Sequence, residues 1–145
     1  DGATFHDRLS SSSRSSSILS LSKSMAWPIL RVQEPYYSLL ASHQKTVEGR
    51  LNKGILHNLQ PGSWLGILPH QDPGATQTPS LLKFRVQRKS HYRSFDDMLQ
   101  TEGMANVLPN MGQSAATEGV QVYRQFYSKE KEAELGVVAL KLVPL

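Results

Sequence analysis

A lysine, a glutamate and an arginine fall within six residues at Lys45, Glu48 and Arg50, in the stretch HQKTVEGRL, and a further glutamate stands at Glu102 in FDDMLQTEGM. Read as an extended strand, Thr46 to Leu51 puts Thr46, Glu48 and Arg50 on one face and Val47 on the other. Lys45 sits at the preceding junction, near a helix C-terminus, where a cation is favoured. Glu102 is the less ordinary member. On a helix begun at Ser94, positions 95, 98, 99 and 102 form one stripe, and its first three residues are Phe95, Met98 and Leu99. A carboxylate on such a core-facing stripe costs desolvation energy unless a cation or hydrogen-bond donors meet it, and Lys45 and Arg50 are the expected partners. Together these charges can bind an anion or a polar base edge, or supply an acid, a base and an oxyanion-stabilising cation.

The elements that must hold them are legible from Met25 onward. WPILRV (27–32) reads as a first strand, and EPYYSLLASH follows as a helix with Pro35 at its first position. Tyr36, Leu39, Leu40 and His43 recur at helical spacing. KTVEGRL alternates as a second strand, and a Pro-Gly turn leads into a third from Trp64 to Leu68. LLKFRVQRK alternates strictly, with Leu82, Phe84 and Val86 on one side and Lys83, Arg85 and Gln87 on the other. Ser94 with Asp97 makes a helix-start signature. TEGVQVYRQFYSKEKEAE reads as a third helix with Val120, Tyr123 and Tyr127 inward, and GVVALKLV as a last strand. The order β-α-β-β-β-α-α-β implies an α+β fold, a small curved sheet or barrel with helices packed on it. Trp27, Trp64 and the helix tyrosines are expected in the core, Trp64 as a residue of the barrel.

Composition sets the bounds. The 145 residues suffice for one ordinary domain, and 39% hydrophobic with 19% charged content is that of a globular chain. The formal charge of +4 favours an anionic partner. With no cysteine, disulfides, thiolate chemistry and Cys-based zinc sites are excluded. The five histidines are scattered without metal-ligand spacing, so no metal and no cofactor is expected. No apolar run reaches the length of a membrane span, and no membrane partner is expected. Nucleotide-binding glycine loops and the serine-hydrolase elbow are missing.

Residues 1–24 stand apart. Leu9 to Ser24 holds ten serines in sixteen residues, with Arg14 and Lys23 and no acid. Such a segment buries too little apolar surface to offset its ordering entropy, so disorder is expected there and a folded domain over 25–145. The stretch resembles an organelle transit peptide and equally fits translated upstream sequence, Met25 being placed as a natural start. The expected site is intracellular, cytoplasmic or nuclear, with organelle import if 1–24 is a transit peptide; a monomer is favoured.

HQKTVEGR also resembles the signature of the ASCH family, a PUA-like β-barrel superfamily, which reads Gly-x-Lys-x-x-Glu-x-Arg after the first helix. Lys45, Glu48 and Arg50 match it, and His43 stands in place of the glycine. QEPYYSLL, YRSFDDMLQTEGM, EGVQVYRQFYSKEKE and GVVALKLV extend the resemblance over nearly everything after Met25. It implies a PUA-like mixed β-barrel with flanking helices and a cleft lined by those charges that binds RNA. Some small bacterial members are amidohydrolases that deacetylate N4-acetylcytidine. Their lysine matches Lys45 and their glutamate best matches Glu102, but their threonine nucleophile falls at Glu48. A carboxylate is not activated as a threonine hydroxyl is, and Thr46 lies two residues off.

Three functions follow. The first is a module for RNA or a modified nucleoside, with Lys45, Glu48, Arg50 and Glu102 binding the ligand. Lys53 would join Lys45 and Arg50 in meeting phosphate or base edges, and Lys83, Arg85, Arg88, Lys89 and Arg93, with Tyr92 for stacking, would meet nucleic acid along a strand face. The second is an amidohydrolase in which Glu102 acts as base, Lys45 steadies the oxyanion and Glu48 orients Lys45 or replaces the nucleophile. The third is a protein-interaction component of a larger assembly, whose charges form a structural network.

Overall fold

The structure, a computed structural model, describes residues 27–76 and 78–145. The expectations for residues 1–24 lie outside that range. Five strands, β1 (Ile29–Val32), β2 (Val47–Leu51), β3 (Trp64–Pro69), β4 (Leu82–Tyr92) and β5 (Val137–Pro144), form one sheet in the order β1-β3-β4-β5-β2. β1 runs parallel to β3, and the other three pairings are antiparallel. The expected α+β class with a mixed sheet and flanking helices is what forms. The sheet does not close into a complete barrel, because β1 and β2 remain its two edges. It curls far enough for one side chain to cross the gap: the Arg50 Nη2 on β2 donates to the Arg31 carbonyl on β1 at 2.5 Å.

The alternation in each strand decides which core it feeds. Inside the curl, Leu30, Val32, Leu65, Ile67, Phe84, Val86, Leu140 and Leu142 pack with Leu40 of helix α1 (Tyr36–Ala41). On the other face, Val47, Leu51, Val137 and Ala139 pack against Phe95, Met98 and Leu99 of α2 (Phe95–Glu102). Val107 of α3 (Met104–Val107) and Tyr123 of α4 (Ala116–Arg124) complete this second core. β5 feeds both, so its run VVAL is buried at four successive positions. A strand covered on both faces reads as a continuous apolar run instead of an alternation.

Four expectations change in detail. The long third helix is two helices, α4 and α5 (Lys129–Leu135), because Ser128 starts a new one: its Oγ accepts from the Lys131 N–H. Tyr123 is buried as expected, while Val120 and Tyr127 are half-buried. β4 carries a bulge between Val86 and Arg88, after which Lys89 pairs with Leu140 and Arg88 with Lys141. The extra residue exchanges the faces, so Lys89 turns inward and Arg88 outward, against the simple alternation. Trp64, expected inside, is 57% exposed.

α1 also ends earlier than its periodicity suggests. His43, where the resembled motif has glycine, adopts a left-handed conformation with φ of 66° and donates its N–H to Leu40 O. The chain thus reverses into β2 as a glycine would allow, at a steric cost for a residue with a Cβ.

Gly49 shows how tightly α2 lies on β2. A Cβ there would fall 2.5 Å from the Met98 sulfur, and Met98 is wholly buried. Gly49→Ala is expected to destabilise the protein by about 1–3 kcal/mol through overpacking. Urea unfolding reads this directly; an unchanged midpoint would show that Met98 repacks freely.

Candidate functional site

Lys45, Glu48 and Arg50 meet at the seam between the two edge strands. Lys45 leaves α1 with its N–H bonded to Leu39 O, and its ammonium turns inward, leaving the residue 3% exposed. Nζ donates to Val47 O and Val107 O, both at 2.6 Å, and pairs with Glu48 Oε1 at 3.3 Å. The three ammonium protons therefore have three acceptors. Nζ also lies 5.7 Å from the centre of the Tyr36 ring. Glu48, 6% exposed, accepts from Arg50 Nε at 2.7 Å through its second oxygen.

Burial and charge compete in this triplet. Burial pushes the Glu48 carboxyl up, but Lys45 and Arg50 together overcome it and hold it below the ordinary carboxylate value. For Lys45 burial prevails: its pKa is lowered, although Glu48 pulls the other way. Arg50, beside Glu48, is raised despite its burial.

These side chains open onto a cavity of about 490 Å³. Arg31, Tyr36, Lys53 and His70 line it together with Tyr123, Phe126, Tyr127 and the charged triplet. The Tyr123 hydroxyl is raised well above its ordinary pKa, by burial and then by the nearby Glu48 charge, and so stays protonated. Phe95 stacks behind Tyr123 and Tyr127, with centroids 4.1 and 5.5 Å away. α4 and the turn that follows it thereby present an aromatic wall to the cleft. A concave, partly apolar site with a few convergent polar groups is the usual form of a small-ligand site.

The structure does not bring Glu102 to this triplet. It lies buried at the end of α2, as its stripe required, yet its partners are Arg88 and Tyr92 on β4. Arg88 is bidentate, with Nη1 to Oε2 at 2.8 Å and Nη2 to Oε1 at 2.9 Å, and the Tyr92 hydroxyl donates at 2.5 Å. Sheet register explains the difference. Val47 and Arg88 both pair with Lys141, on the helix-covered face, whereas Glu48 pairs with Leu140, on the other. The Arg88 hydrogen bond, with help from Tyr92, holds Glu102 below the ordinary carboxylate value against its burial.

The expected basic stripe is likewise divided. Lys53 lines the cleft. Lys83 and Arg85 are exposed on the outer sheet face, and Arg93 is exposed just beyond β4. Arg88 and Tyr92 are engaged with Glu102, and Lys89 Nζ turns in to donate to Leu56 O at 2.6 Å. Thr46 Oγ1 is buried without a hydrogen-bond partner. Sequence reasoning took the lining residues Tyr123 and Tyr127 as core and passed over Phe126; the signal was present as three aromatics within five residues. It also missed Glu132, whose buried carboxylate accepts from the Phe95 N–H and from Arg124. Among the described residues no group of His, Cys, Asp or Glu could hold a metal ion, and no helix is long and apolar enough to cross a membrane.

The family model for the ASCH domain matches residues 30–145. The chain belongs to the ASCH family. Two solved structures share its fold. The crystal structure of hypothetical protein PH0355 is 37% identical, with a TM-score of 0.67, over 82% of this chain and 98% of that one. The solution NMR structure of protein PF0455 from Pyrococcus furiosus is also 37% identical, with a TM-score of 0.60, over 82% of this chain and 96% of that one. No curated protein matches the chain. In this ASCH domain the motif residues Lys45, Glu48 and Arg50 are the ones that meet at the seam.

Glu48→Gln would leave the buried Lys45 and the half-buried Arg50 without their counter-charge, and it is expected to cost about 3–5 kcal/mol. The pH dependence has a definite sign. A carboxylate whose folded pKa is depressed contributes stability in full above its unfolded value, near 4.3, and loses it as pH falls through the lower folded value. Urea unfolding at neutral pH and across the acid range tests both points. The wild type should lose stability on acidification, and Glu48→Gln should lose less of it, the remainder coming from carboxylates such as Glu102. A variant as stable as wild type, with the same acid slope, would mean that the triplet is not coupled in solution.

Proposed function

We propose that this ASCH domain binds RNA by drawing one unpaired base, ordinary or modified, into the cleft between β1 and β2. The observation that supports this most is the joining of an aromatic wall and a fixed charge triplet in one cavity of about 490 Å³. Single-stranded RNA is read by stacking unpaired bases on aromatic rings and by hydrogen-bonding their edges. Tyr36, Tyr123, Phe126 and Tyr127 offer ring surface. Glu48 offers acceptor oxygens and Arg50 donor hydrogens, held in place by each other and by the Arg31 carbonyl. Lys53 and Arg31 at the lining supply positive charge for the adjoining phosphates.

The amidohydrolase reading draws less support. It needs Lys45 and a general base around one substrate, whereas the Lys45 protons are committed to Val47, Val107 and Glu48, and Glu102 is held by Arg88 and Tyr92. The structural network of the third reading is compatible with binding, since the same contacts that tie β2 to α3 also set the base of the cleft.

Fluorescence anisotropy with labelled single-stranded RNA over a salt series is the test. Affinity should fall linearly on a log–log plot against salt, and Lys53→Ala should reduce that slope by about 0.7. Phe126, 51% exposed, should act through stacking: Phe126→Ala should weaken binding by about fivefold or more with the slope unchanged. RNA that fails to bind, or binds both variants as it binds wild type, would remove the cleft from consideration.

A further inference from the structure

Trp64 is the largest exposed apolar side chain of the described residues, at 57%, and it does not stand alone. The Trp27 ring stacks on it with centroids 5.1 Å apart and planes 28° apart. Lys83 Nζ lies over Trp27 at 5.7 Å, and Arg85 is the direct cross-strand neighbour of Trp64. Trp64, Lys83 and Arg85 project from the outer face of β3 and β4, away from the core inside the curl, and Trp27, just before β1, joins them there through its stacking on Trp64. The helices that cover the outer face elsewhere pack against β2, β5 and the far end of β4, and none of the described helices covers this region. Ile29 and Leu81 floor it at Gly66, where an added Cβ would meet them at 2.6 and 2.9 Å.

We propose that this face is a second RNA-binding surface, a platform on which Trp64, backed by Trp27, stacks bases of single-stranded RNA while Lys83 and Arg85 hold its phosphates. The proposal rests on the RNA-binding reading of the cleft and extends it to a longer stretch of the same strand. Three observations select RNA over an apolar protein partner. The aromatic pair is flanked by cations, and the cross-strand register of this face, through Lys83, Arg85 and Val143, carries no aspartate or glutamate. Stacked aromatics beside basic side chains fit single strands, whose bases all have π-faces and whose backbone is an anion. The face is also continuous with the cleft. Arg31 stands on the same side of β1 as Trp27 and Ile29 and is itself part of the cleft lining. Arg31 lies four residue steps along the extended chain from Trp27, about 13 Å, which a few nucleotides span.

The chain holds two tryptophans, and both belong to this pair while neither lines the cleft, so tryptophan emission excited beyond the tyrosine absorption reads the platform. The experiment titrates the full chain with labelled single-stranded oligouridylate and follows anisotropy and tryptophan emission together. Emission should be quenched in step with binding. Trp64→Ala should lose about fivefold or more in affinity, Trp64→Phe should recover much of it, and Lys83→Glu with Arg85→Glu should weaken binding and flatten its salt dependence. Circular dichroism checks that the variants are folded. Anisotropy that rises while emission stays unmoved, with Trp64→Ala binding like wild type, would overturn the platform and leave the cleft. Quenching that persists while Phe126→Ala and Lys53→Ala bind normally would overturn the cleft and leave the platform. No response in either signal overturns both. A Trp64-dependent dimer seen by light scattering, with RNA affinity unaffected, would overturn the platform in favour of self-association.

Discussion

A lysine ammonium buried at the open seam of the sheet is the constraint around which this domain is arranged. A charge out of water is tolerated when each of its protons has an acceptor and a counter-charge stands beside it. Lys45 meets that condition with a carbonyl from β2, a carbonyl from α3 and the Glu48 carboxylate. The acceptors come from β2 and from α3, so satisfying one ammonium fixes the start of β2, the end of α3 and the Glu48 rotamer at once. Arg50 carries the constraint across the gap to β1. The cleft is what remains between those fixed points.

The same physics produces a second ion pair with a different outcome. Glu102 is held by a bidentate arginine and a tyrosine hydroxyl, and the Arg88 side chain is about half exposed. That pair joins α2 to β4 on the helix-covered face. Its shielding from the seam follows from sheet register, which sends alternate residues to opposite faces. Two carboxylates that look like partners in sequence are thereby placed on opposite faces of the sheet, each with its own cations.

Aromatic residues divide in a parallel way. Phe95, Tyr123 and Tyr127 stack from the second core to the cleft wall, so the wall is rigid because it is the exposed end of a packed column. Trp27 and Trp64 stack at the surface, where cations replace the core as their surroundings. Both arrangements present ring faces, one in a cavity and one on an open sheet.

Much of this was legible in the chain. Period-two alternation located β2 and β4, short apolar runs beside turn residues located the other strands, and the Ser94 cap located α2, because these signals are local; Lys45, Glu48 and Arg50 stood out through the family motif they match. The partner of Glu102, the loss of Lys89 from the basic stripe and the exposure of Trp64 were not legible. Each depends on which strand lies beside which: β5 inserted between β4 and β2 separates Glu102 from Glu48, and a one-residue bulge reverses Arg88 and Lys89. Trp64 is outward because its neighbour Leu65 takes the core position, and an alternating strand cannot bury both. Local sequence determines which residues face together along one strand; the order and register of strands distant in sequence decide what those faces meet.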